Sequence, residues 1–467
     1  MKENFLSKLE VLDQSHNSKD FWKEINNLNP KQNNNDISSE IWSNHFKNLC
    51  NSNTSQQDLQ SLPDPESLFA NINTILDFKI EEHELNRAIK RLKSGKAKGP
   101  DMLQNEMIKH SCEFMAPVFV KIFNLILETG TYPDAWSRSY LITIFKSGEL
   151  DNPSDYRGLC ISSCLSKLFS SILNERLYNY MDDKLSKFQA GFRHNHRTTD
   201  HIFTLNAIVK KYLKRTSGNK KIYCCFVDFS KAFDTLWRPF ILKKLFDYNI
   251  GGKFYSVIKN MLISSQACVK MPSSVSQYFA MSLGIKQGDP MSPTIFNIFL
   301  NDLADEIGGV TNSPPLLNGI PIPLLMYADD VVLLSETPEG LQNSLDKLYQ
   351  YSVKWKLTVN LKKTKVVIFE NRKSMAPHFL LGNRVLTRVD SYKYLGVTFY
   401  YTGNFSHVQA DLYLKTLKAM FGINGKICLN SLSPEISKKL FNSMIKPIIM
   451  YGSEVWGTEI LKPLLSN

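Results

Sequence analysis

Short apolar runs alternate with longer amphipathic segments through the middle third of the chain. Ile222 to Val227 is a run of residues that favour strands. Leu324 to Ser335, "LLMYADDVVLLS", contains two such runs on either side of two adjacent acids. "SYLITIFKSGELDNPSDYRGL" predicts one strand followed by a basic turn. Strands that alternate with helices favour an α/β or α+β core.

Helical periodicity is clearest before these strands. Leu85, Ala88, Ile89 and Leu92 share one helix face, and we expect this helix to end at Gly95. "PVFVKIFNLILETG" predicts a buried helix, and "SKLFSSILNERLYNYM" continues the helical pattern. Glycine after the first of these runs predicts its C-terminal end, at Gly130.

Residues 1–70 are polar and rich in asparagine. "NNLNPKQNNNDISS" is typical of a linker, and "FWKEI" and "IWSNHFKNL" predict short amphipathic helices on either side of it. We therefore expect a polar N-terminal extension ahead of the main fold.

Composition and charge narrow the classes of function. The 467 residues, 43% of them hydrophobic, are enough for two or three subdomains, and the net charge of +12 suggests a polyanionic partner. The eight cysteines form no CxxC pair, so we expect no zinc site, and Cys224 and Cys225 lie in an apolar run typical of a core. No apolar run reaches the roughly 18 residues of a membrane span, and the N-terminus has no signal-peptide core. We expect a soluble intracellular protein without a membrane partner.

The adjacent acids Asp329 and Asp330 are the first candidate for chemistry. A turn between two strands is the ordinary interpretation, but it fits poorly because two-residue hairpins favour Asn-Gly or Asp-Gly. Two carboxylates about 4 Å apart repel by roughly 1 kcal/mol in water and by more near protein. A cation would remove this cost, and Mg²⁺ is usually held by one or two carboxylates together with substrate phosphates.

A further acid, Asp228, ends the run Ile222 to Val227 and is followed by "SKAFD". An acid in this position is often only a helix cap, but two neighbouring strands could bring it beside Asp329 and Asp330 to hold two metal ions for phosphoryl transfer. Between them, "LGIKQGDPMSPTIFNIFLNDL" predicts a rigid glycine turn and then a helix with Pro293 in its first turn.

The whole set of motifs resembles the reverse transcriptase of a non-LTR (LINE-type) retrotransposon. "VDFSKAFD", "GIKQGDPMSP", "YADD" and "YKYLGV" stand in the order and spacing of that family. The blocks "KSGKAKGPD", "FQAGFRHNHRTTDHI", "WKLTVNLKKTK" and "MIKPIIMYGSEVWG" match it as well, so the resemblance covers nearly the whole chain from about residue 15.

The resemblance implies roles for individual residues. Asp228, Asp329 and Asp330 would hold two Mg²⁺ ions, with Mn²⁺ as a substitute, and Phe233 would exclude the ribose 2′-hydroxyl. By the same resemblance, Lys146 and Arg157 would contact the triphosphate, and Gln287 and Gly288 would contact the nascent base pair. Lys363 would protonate the leaving pyrophosphate. Tyr394, Leu395 and Gly396 would form the grip on the primer end.

Other interpretations of these residues stay open. Lys146 could be a solvated loop lysine, Arg157 a structural ion-pair partner and Phe233 core packing. The lysines near Lys363 could be an ordinary charged face, and Lys362 and Lys365 are close enough to share its predicted role.

The chain also departs from the family pattern. Gly158 stands where many relatives have proline, which predicts a looser loop, and "RHNHRTTD" lacks the glycine and serine often found there. The chain ends soon after "YGSEVWG", and no endonuclease motif precedes the polymerase motifs. We therefore expect a central fragment of a longer element protein or a truncated copy.

The resemblance implies an α+β right-hand polymerase fold with a palm built on an antiparallel sheet. The expected parts are an N-terminal extension (1–70), fingers (71–215), a palm with interleaved fingers segments (216–400) and the start of a thumb (401–467). The expected function is RNA-directed DNA polymerisation in cytoplasm and nucleus, with an RNA template, a DNA primer or target and deoxynucleotides as partners. The alternatives are an intron-type reverse transcriptase and maturase, a viral RNA polymerase, and a catalytically impaired RNA-binding remnant.

Overall fold

The computed structural model of the chain combines helices and sheets, as expected of an α+β protein. It describes residues 8, 11–12, 18–27, 37–51, 75–214, 220–308, 313–375, 377–427 and 432–457. Much of the predicted linker "NNLNPKQNNNDISS" lies outside the described residues. The boundaries predicted for fingers, palm and thumb stay predictions.

The helices of the described residues are numbered in chain order. They are α1 (Ser18–Asn27), α2 (Ser39–Leu49), α3 (Glu82–Arg91), α4 (Asn105–Thr129), α5 (Asp134–Ser137), α6 (Cys164–Met181), α7 (Thr198–Leu213), α8 (Ala232–Thr235), α9 (Arg238–Asp247), α10 (Gly252–Ile263), α11 (Ser292–Leu300), α12 (Leu303–Ile307), α13 (Pro338–Lys354), α14 (Ser406–Ile427), α15 (Pro434–Leu440) and α16 (Lys446–Ile449). Short 3₁₀ turns lie at Pro153–Asp155 and Asp182–Lys184, and a π-helical turn at Phe441–Ile445.

The strands are numbered in the same way. They are β1 (Arg138–Phe145), β2 (Tyr156–Ser162), β3 (Ile222–Asp228), β4 (Gln266–Val269), β5 (Phe279–Ala280), β6 (Leu316–Leu317), β7 (Ile320–Pro321), β8 (Leu324–Tyr327), β9 (Asp330–Ser335), β10 (Lys365–Phe369), β11 (Leu380–Leu381), β12 (Arg384–Val385), β13 (Thr387–Arg388), β14 (Ser391–Tyr394) and β15 (Val397–Tyr400).

A five-stranded sheet in the order β13-β10-β3-β9-β8 forms the centre of the molecule. Its pairs are antiparallel except for β10 with β13. Along β3 the side chains alternate between two cores: Cys225 and Val227 pack in the larger cluster, and Cys224 and Phe226 in a second one. Burial of both faces explains why this strand is apolar at every position before its terminal acid. The predicted strand and the core position of both cysteines are confirmed.

A second sheet, in the order β2-β1-β4-β5, corrects the prediction for the segment after β1. The "YRGL" stretch is a strand paired with β1, and Gly158 lies opposite Thr143 in it. A Cβ atom on Gly158 would stand 2.9 Å from Phe46 Cε1 and 3.0 Å from Leu141 Cδ2. Glycine is therefore needed for the close approach of the Phe46 ring, and the expected looser loop is wrong.

The N-terminal region contains more structure than a polar extension. Both predicted amphipathic helices are present as α1 and α2. Trp42 and Phe46 of α2 pack in a core with residues of the second sheet, whereas Phe21 and Ile25 of α1 pack on the C-terminal helices α14 and α15. Residues 18–27 and 37–51 are therefore integral to the fold at two separate places.

Two helix ends differ in how well they were predicted. The helix α4 ends at Gly130, whose φ of 67° fits the left-handed C-terminal cap, as predicted. The helix α3 ends at Arg91, four residues before Gly95, so that prediction is wrong. Leu92 has extended backbone there, and Asn105 donates a side-chain hydrogen bond to the carbonyl of Lys93. A tertiary contact, not a glycine, thus fixes the chain after α3.

By length and composition α4 could cross a membrane, and it is the one described helix that could. Phe119, Phe123 and Leu127 are nevertheless buried in the larger core, and Phe114 and Leu125 are exposed. The helix is thus part of the folded core on one side and apolar on the other.

We expect Gly158→Ala to destabilise the protein by about 1–3 kcal/mol, the usual cost of overpacking a well-filled site. The physical reason is the contact of the new methyl group with Phe46 and Leu141. Denaturant unfolding would measure the change. Gly422→Ala is the matched control, because no atom lies within 4 Å of a Cβ at that helical position and alanine should stabilise the helix by about 1 kcal/mol. Equal stability of Gly158→Ala and the parent would contradict the packing of Phe46 on β2.

Candidate active site

Three carboxylates meet where β3, β8 and β9 come together. Asp228 is the last residue of β3 and lies directly opposite Asp330, the first residue of β9. Asp329 precedes it, in a two-residue turn formed with Ala328 between β8 and β9. The expectation that a hairpin turn fits this place poorly is therefore wrong. Turn and carboxylate cluster are compatible, because Ala328 adopts the left-handed φ of 56° that such a turn requires.

The segment around Gln189 packs against this turn and is hydrogen-bonded to it. The sequence motifs predicted no separate role for Gln189. The side-chain oxygen of Gln189 accepts hydrogen bonds from the backbone N–H of Ala328, at 3.0 Å, and of Gly191, at 2.8 Å. A Cβ atom on Gly191 would stand 2.2 Å from the Ala328 nitrogen. Gln189 and Gly191 could have been identified from the block "FQAGFR", which matches the family but was given no function.

Burial and mutual repulsion raise the pKa of two of the three acids. The pKa of Asp330 is raised to about 6 by burial of its carboxyl group and then by Asp329 and Asp228, although the residue as a whole is exposed at the surface. Burial also raises the pKa of Asp329, and Asp228 raises it further, whereas Arg157 and Lys146 act in the opposite direction. Burial is thus the main cause of the raised pKa of Asp329 and Asp330, and the nearby cations oppose it only in part.

The residues fit a divalent cation by their chemistry. Carboxylate oxygens are the ligands that Mg²⁺ prefers, and it binds through one or two of them together with substrate phosphates. Within the described residues, no set of three or more His, Cys, Asp or Glu side chains forms a ready-made metal cage.

Three basic side chains lie beside the acids. Lys363 Nζ is 3.9 Å from Asp228 Oδ2. Burial lowers the pKa of Lys146, and Arg157 and Lys363 lower it further, while Asp228 and Asp329 raise it. Lys146 is thus within electrostatic range of the other two cations and of Asp228 and Asp329. Lys146 follows β1 and Arg157 lies in β2, so the hairpin of the second sheet brings both to the site.

The three lysines that shared one predicted role occupy different places. Lys363 has the contact to Asp228, whereas Lys365 begins β10 and lies opposite Phe226 in the sheet. The backbone N–H of Lys362 donates to the side chain of Asn360 in the preceding turn. Geometry thus favours Lys363 for any role at the carboxylates.

Phe233 lies in the short helix α8, which packs against the glycine turn before α11. Its ring stacks on Phe296 of α11, with centroids 4.4 Å apart and an angle of 6° between planes. Its backbone carbonyl accepts a hydrogen bond from Ile285 at 2.9 Å. The glycine turn that begins at Gly284 is therefore fixed to the segment carrying Phe233, and α11 follows with Pro293 in its first turn, as predicted.

Gln287 and Gly288 connect this loop to β2. The carbonyl of Gln287 accepts a hydrogen bond from Cys160 at 2.8 Å, and its side chain donates to Asp234 Oδ1 at 2.8 Å. Gly288 has a φ of 109°, and a Cβ atom on it would stand 2.9 Å from the Cys160 carbonyl oxygen. Burial raises the pKa of Asp234 to about 6, against the hydrogen bond from Gln287. No role was predicted for Asp234 from the sequence.

The hairpin β14–β15 places Tyr394, Leu395 and Gly396 near the sheet. Tyr394 is 2% exposed and packs near Phe226, so its side chain is part of the core. Leu395 and Gly396 form the turn, with φ values of 45° and 87°, and the Leu395 carbonyl accepts a hydrogen bond from Tyr451 at 2.8 Å. The Tyr394 ring is thus buried, whereas Gly396 in the turn is exposed.

Comparisons with known proteins found one matching family model and several curated relatives. The family model described as "Reverse transcriptase (RNA-dependent DNA polymerase)" matches residues 144–399, more than half of the chain. These residues include all three acids and the basic residues Lys146, Arg157 and Lys363.

The curated relatives are proteins of mobile elements. The chain is 27% identical to the RNA-directed DNA polymerase from mobile element jockey of Drosophila melanogaster, over 80% of this chain and 41% of the relative. It is 28% identical to the probable RNA-directed DNA polymerase from transposon BS of the same organism, over 86% and 44%. The Pol polyprotein of the element R2DM is 28% identical over 69% and 30%. The chain thus spans less than half the length of these relatives.

Among solved structures, an apo telomerase from Candida tropicalis truncated from its C-terminal domain matches 61% of this chain and 59% of its own, at 12% identity and a TM-score of 0.41. A likeness at this level decides nothing about the fold. The family match and the relatives, in contrast, agree with the resemblance seen in the motifs: the chain belongs to the reverse transcriptase (RNA-dependent DNA polymerase) family and, within it, to the type found in non-LTR retrotransposons.

Proposed function

We propose that this chain is the RNA-directed DNA polymerase portion of a non-LTR retrotransposon protein, extending a DNA primer with deoxynucleotides on an RNA template. The observation that carries the proposal is the direct pairing of Asp228 with Asp330 and the placement of Asp329 in the adjoining turn. Primer extension on an RNA template, with and without Mg²⁺, tests it. Binding of RNA without extension would instead favour an impaired remnant.

The three acids would hold two Mg²⁺ ions, or Mn²⁺ in their place. When bound, such ions stabilise the attacking and the leaving oxygen in phosphoryl transfer. Because burial raises the pKa of Asp330 to about 6, its carboxyl group would be only partly charged near pH 6 without a bound cation. Lys146 and Arg157 would bind the triphosphate oxygens. They would thereby position the nucleotide and stabilise the negative charge of its phosphates.

Lys363 would donate a proton to the departing pyrophosphate. Its position 3.9 Å from Asp228 Oδ2 supports this role over Lys362 and Lys365. Positioning of the ammonium group by an acid in the same site keeps the donor close to the reacting phosphates.

The remaining residues would align the substrates. Phe233 would lie under the sugar of the incoming nucleotide, Gln287 and Gly288 would border the new base pair, and the turn Leu395–Gly396 would contact the primer end. In the right-hand description, the five-stranded sheet would belong to the palm, the second sheet to the fingers and α14 to the thumb.

We expect Asp228→Asn and Asp329→Asn to lower primer extension by at least about 100-fold, the lower range for removal of one charge-stabilising group in a transition state. Asp330→Asn should also be severe. RNA affinity, measured by fluorescence anisotropy, should change little, because the substitutions keep shape and remove only negative charge. Asp305→Asn, at an exposed position of α12, is the control. Robust extension by the Asp228 or Asp329 variant would refute the assignment of the site.

We expect Phe233→Ala to raise the use of ribonucleotides relative to deoxynucleotides by about 5- to 150-fold, because a rigid ring adds overpacking strain of about 1–3 kcal/mol where a 2′-oxygen would lie. Phe233→Tyr should keep discrimination, since the ring remains. The measurement is kcat/KM for matched nucleotides on one RNA template. If the alanine variant discriminates as well as the parent, Phe233 is core packing on Phe296.

Template binding should depend on salt through the basic stretches Lys90 to Lys98 and Lys354 to Lys373. Replacing Lys93, Lys96 and Lys98 together by glutamine should flatten the plot of log affinity against log salt, by about 0.7 for each phosphate of single-stranded RNA that the variant no longer neutralises. Anisotropy titrations at several salt concentrations would measure the slope. An unchanged slope would show that this exposed stretch is only solvated surface.

A further inference from the structure

The segment 188–193 lies against the turn that carries Asp329. The backbone N–H of Met326 donates to the carbonyl of Phe188 at 2.8 Å, and the N–H of Ala190 donates to the carbonyl of Met326 at 2.9 Å. These bonds attach the segment to β8, at the edge of the five-stranded sheet. The position of residues 188–193 is therefore tied to that of the carboxylate turn.

Gly191 is fixed on both of its peptide groups. Its N–H donates to Gln189, and its carbonyl accepts from the side-chain amide of Asn297 at 2.8 Å. Both amide side chains are buried, at 1% and 2% exposure. Gly191 also touches the Ala328 backbone so closely that no side chain fits there. These contacts restrain the backbone immediately before Phe192.

Arg193 fixes the chain on the other side. Its guanidinium donates to the carbonyl of Ser186 at 3.2 Å, and to the carbonyl and carboxylate of Asp182 at 3.1 and 3.0 Å. Residue 192 is therefore held between two anchored neighbours.

Phe192, between these anchors, has a φ of 60°. A bulky side chain in the left-handed region is a genuine outlier, and such strain persists only where the surrounding structure imposes it. The side chain is 47% exposed and belongs to none of the buried clusters of the described residues, so core packing does not account for it. An aromatic ring is thus held, at a cost in free energy, at the surface beside the carboxylate turn.

The exposed ring of Phe192 contacts Phe233. The two centroids are 5.9 Å apart and the rings are nearly perpendicular, at 82°. Phe233 is stacked on Phe296 at the same time. Two aromatic contacts, one buried and one exposed, therefore restrict movement of the Phe233 ring.

We propose that Phe192 is a specificity-determining residue that forms a second aromatic wall of the sugar pocket. The proposal rests on the proposed function, in which Phe233 lies under the sugar of the incoming nucleotide. A 2′-hydroxyl can be accommodated if the Phe233 ring moves aside, and Phe192 restrains that movement through its edge-to-face contact. The hydrogen bonds of residues 188–193 to β8 and its turn connect Phe192 to the turn of Asp329. The sugar pocket would therefore keep its position relative to the phosphates of the bound nucleotide.

The test compares Phe192→Ala with Phe192→Gly. Both remove the ring, so both should lower discrimination against ribonucleotides by about 2- to 12-fold, which corresponds to the energy of one aromatic pair. Glycine adopts a φ of 60° without strain and alanine does not. The glycine variant should therefore melt at the same temperature as the alanine variant or higher while discriminating equally poorly. A merely structural role of Phe192 predicts equal decreases of kcat/KM for both nucleotide types.

Phe203→Ala is the matched control, since Phe203 is 58% exposed on α7 and makes no contact with Phe233 in the described ring pairs. It should leave discrimination unchanged. In the Phe192→Ala, Phe233→Ala double variant the two effects should be less than additive, because both act on one ring.

The outcomes separate the two proposals. Unchanged discrimination in both Phe192 variants, with discrimination abolished in Phe233→Ala, would overturn the role of Phe192 and leave the proposed function intact. Absence of any primer extension by the parent chain would overturn the proposed function itself.

Discussion

The antiparallel register of β3 and β9 places Asp228 directly opposite Asp330, and the two-residue turn before β9 adds Asp329 beside them. Because side chains alternate along a strand, a shift of one residue would move every side chain of β3 into the opposite core and separate the acids. The apolar residues on both faces of β3 thus fix the register, and the register fixes the charge cluster. The packing of the two cores therefore also fixes the geometry of the carboxylate site.

Close contacts at three glycines position the segments around the central sheet. Gly191 lies against the carboxylate turn, Gly288 against the carbonyl of Cys160 in β2, and Gly158 under the Phe46 ring. At each place a side chain would separate two elements that must touch. Glycine therefore permits close packing both beside the acids, at Gly191, and on the hairpin that carries Arg157, at Gly158 and Gly288.

The sequence predicted much of the site but placed some of its parts incorrectly. Strand-like runs next to acids marked β3, β8 and β9, because a buried strand has a simple apolar pattern and an acid beside it is conspicuous. The strand at Gly158 was missed, since its glycine and Arg157 lie just after the polar segment "KSGELDNPSD" and resemble the end of a loop. The end of α3 was misplaced because a side-chain contact from Asn105, remote from any local signal, fixes the chain there.

The sequence by itself determined the α+β class, the three acids and their family, because apolar periodicity and ordered motifs are local properties. Only the tertiary structure decided what surrounds those acids. The burial of Tyr394, the hydrogen bond from Gln287 to Asp234 and the strained position of Phe192 depend on contacts between segments far apart in the chain. No local pattern encodes such contacts, since each requires the register and packing of elements that form only together.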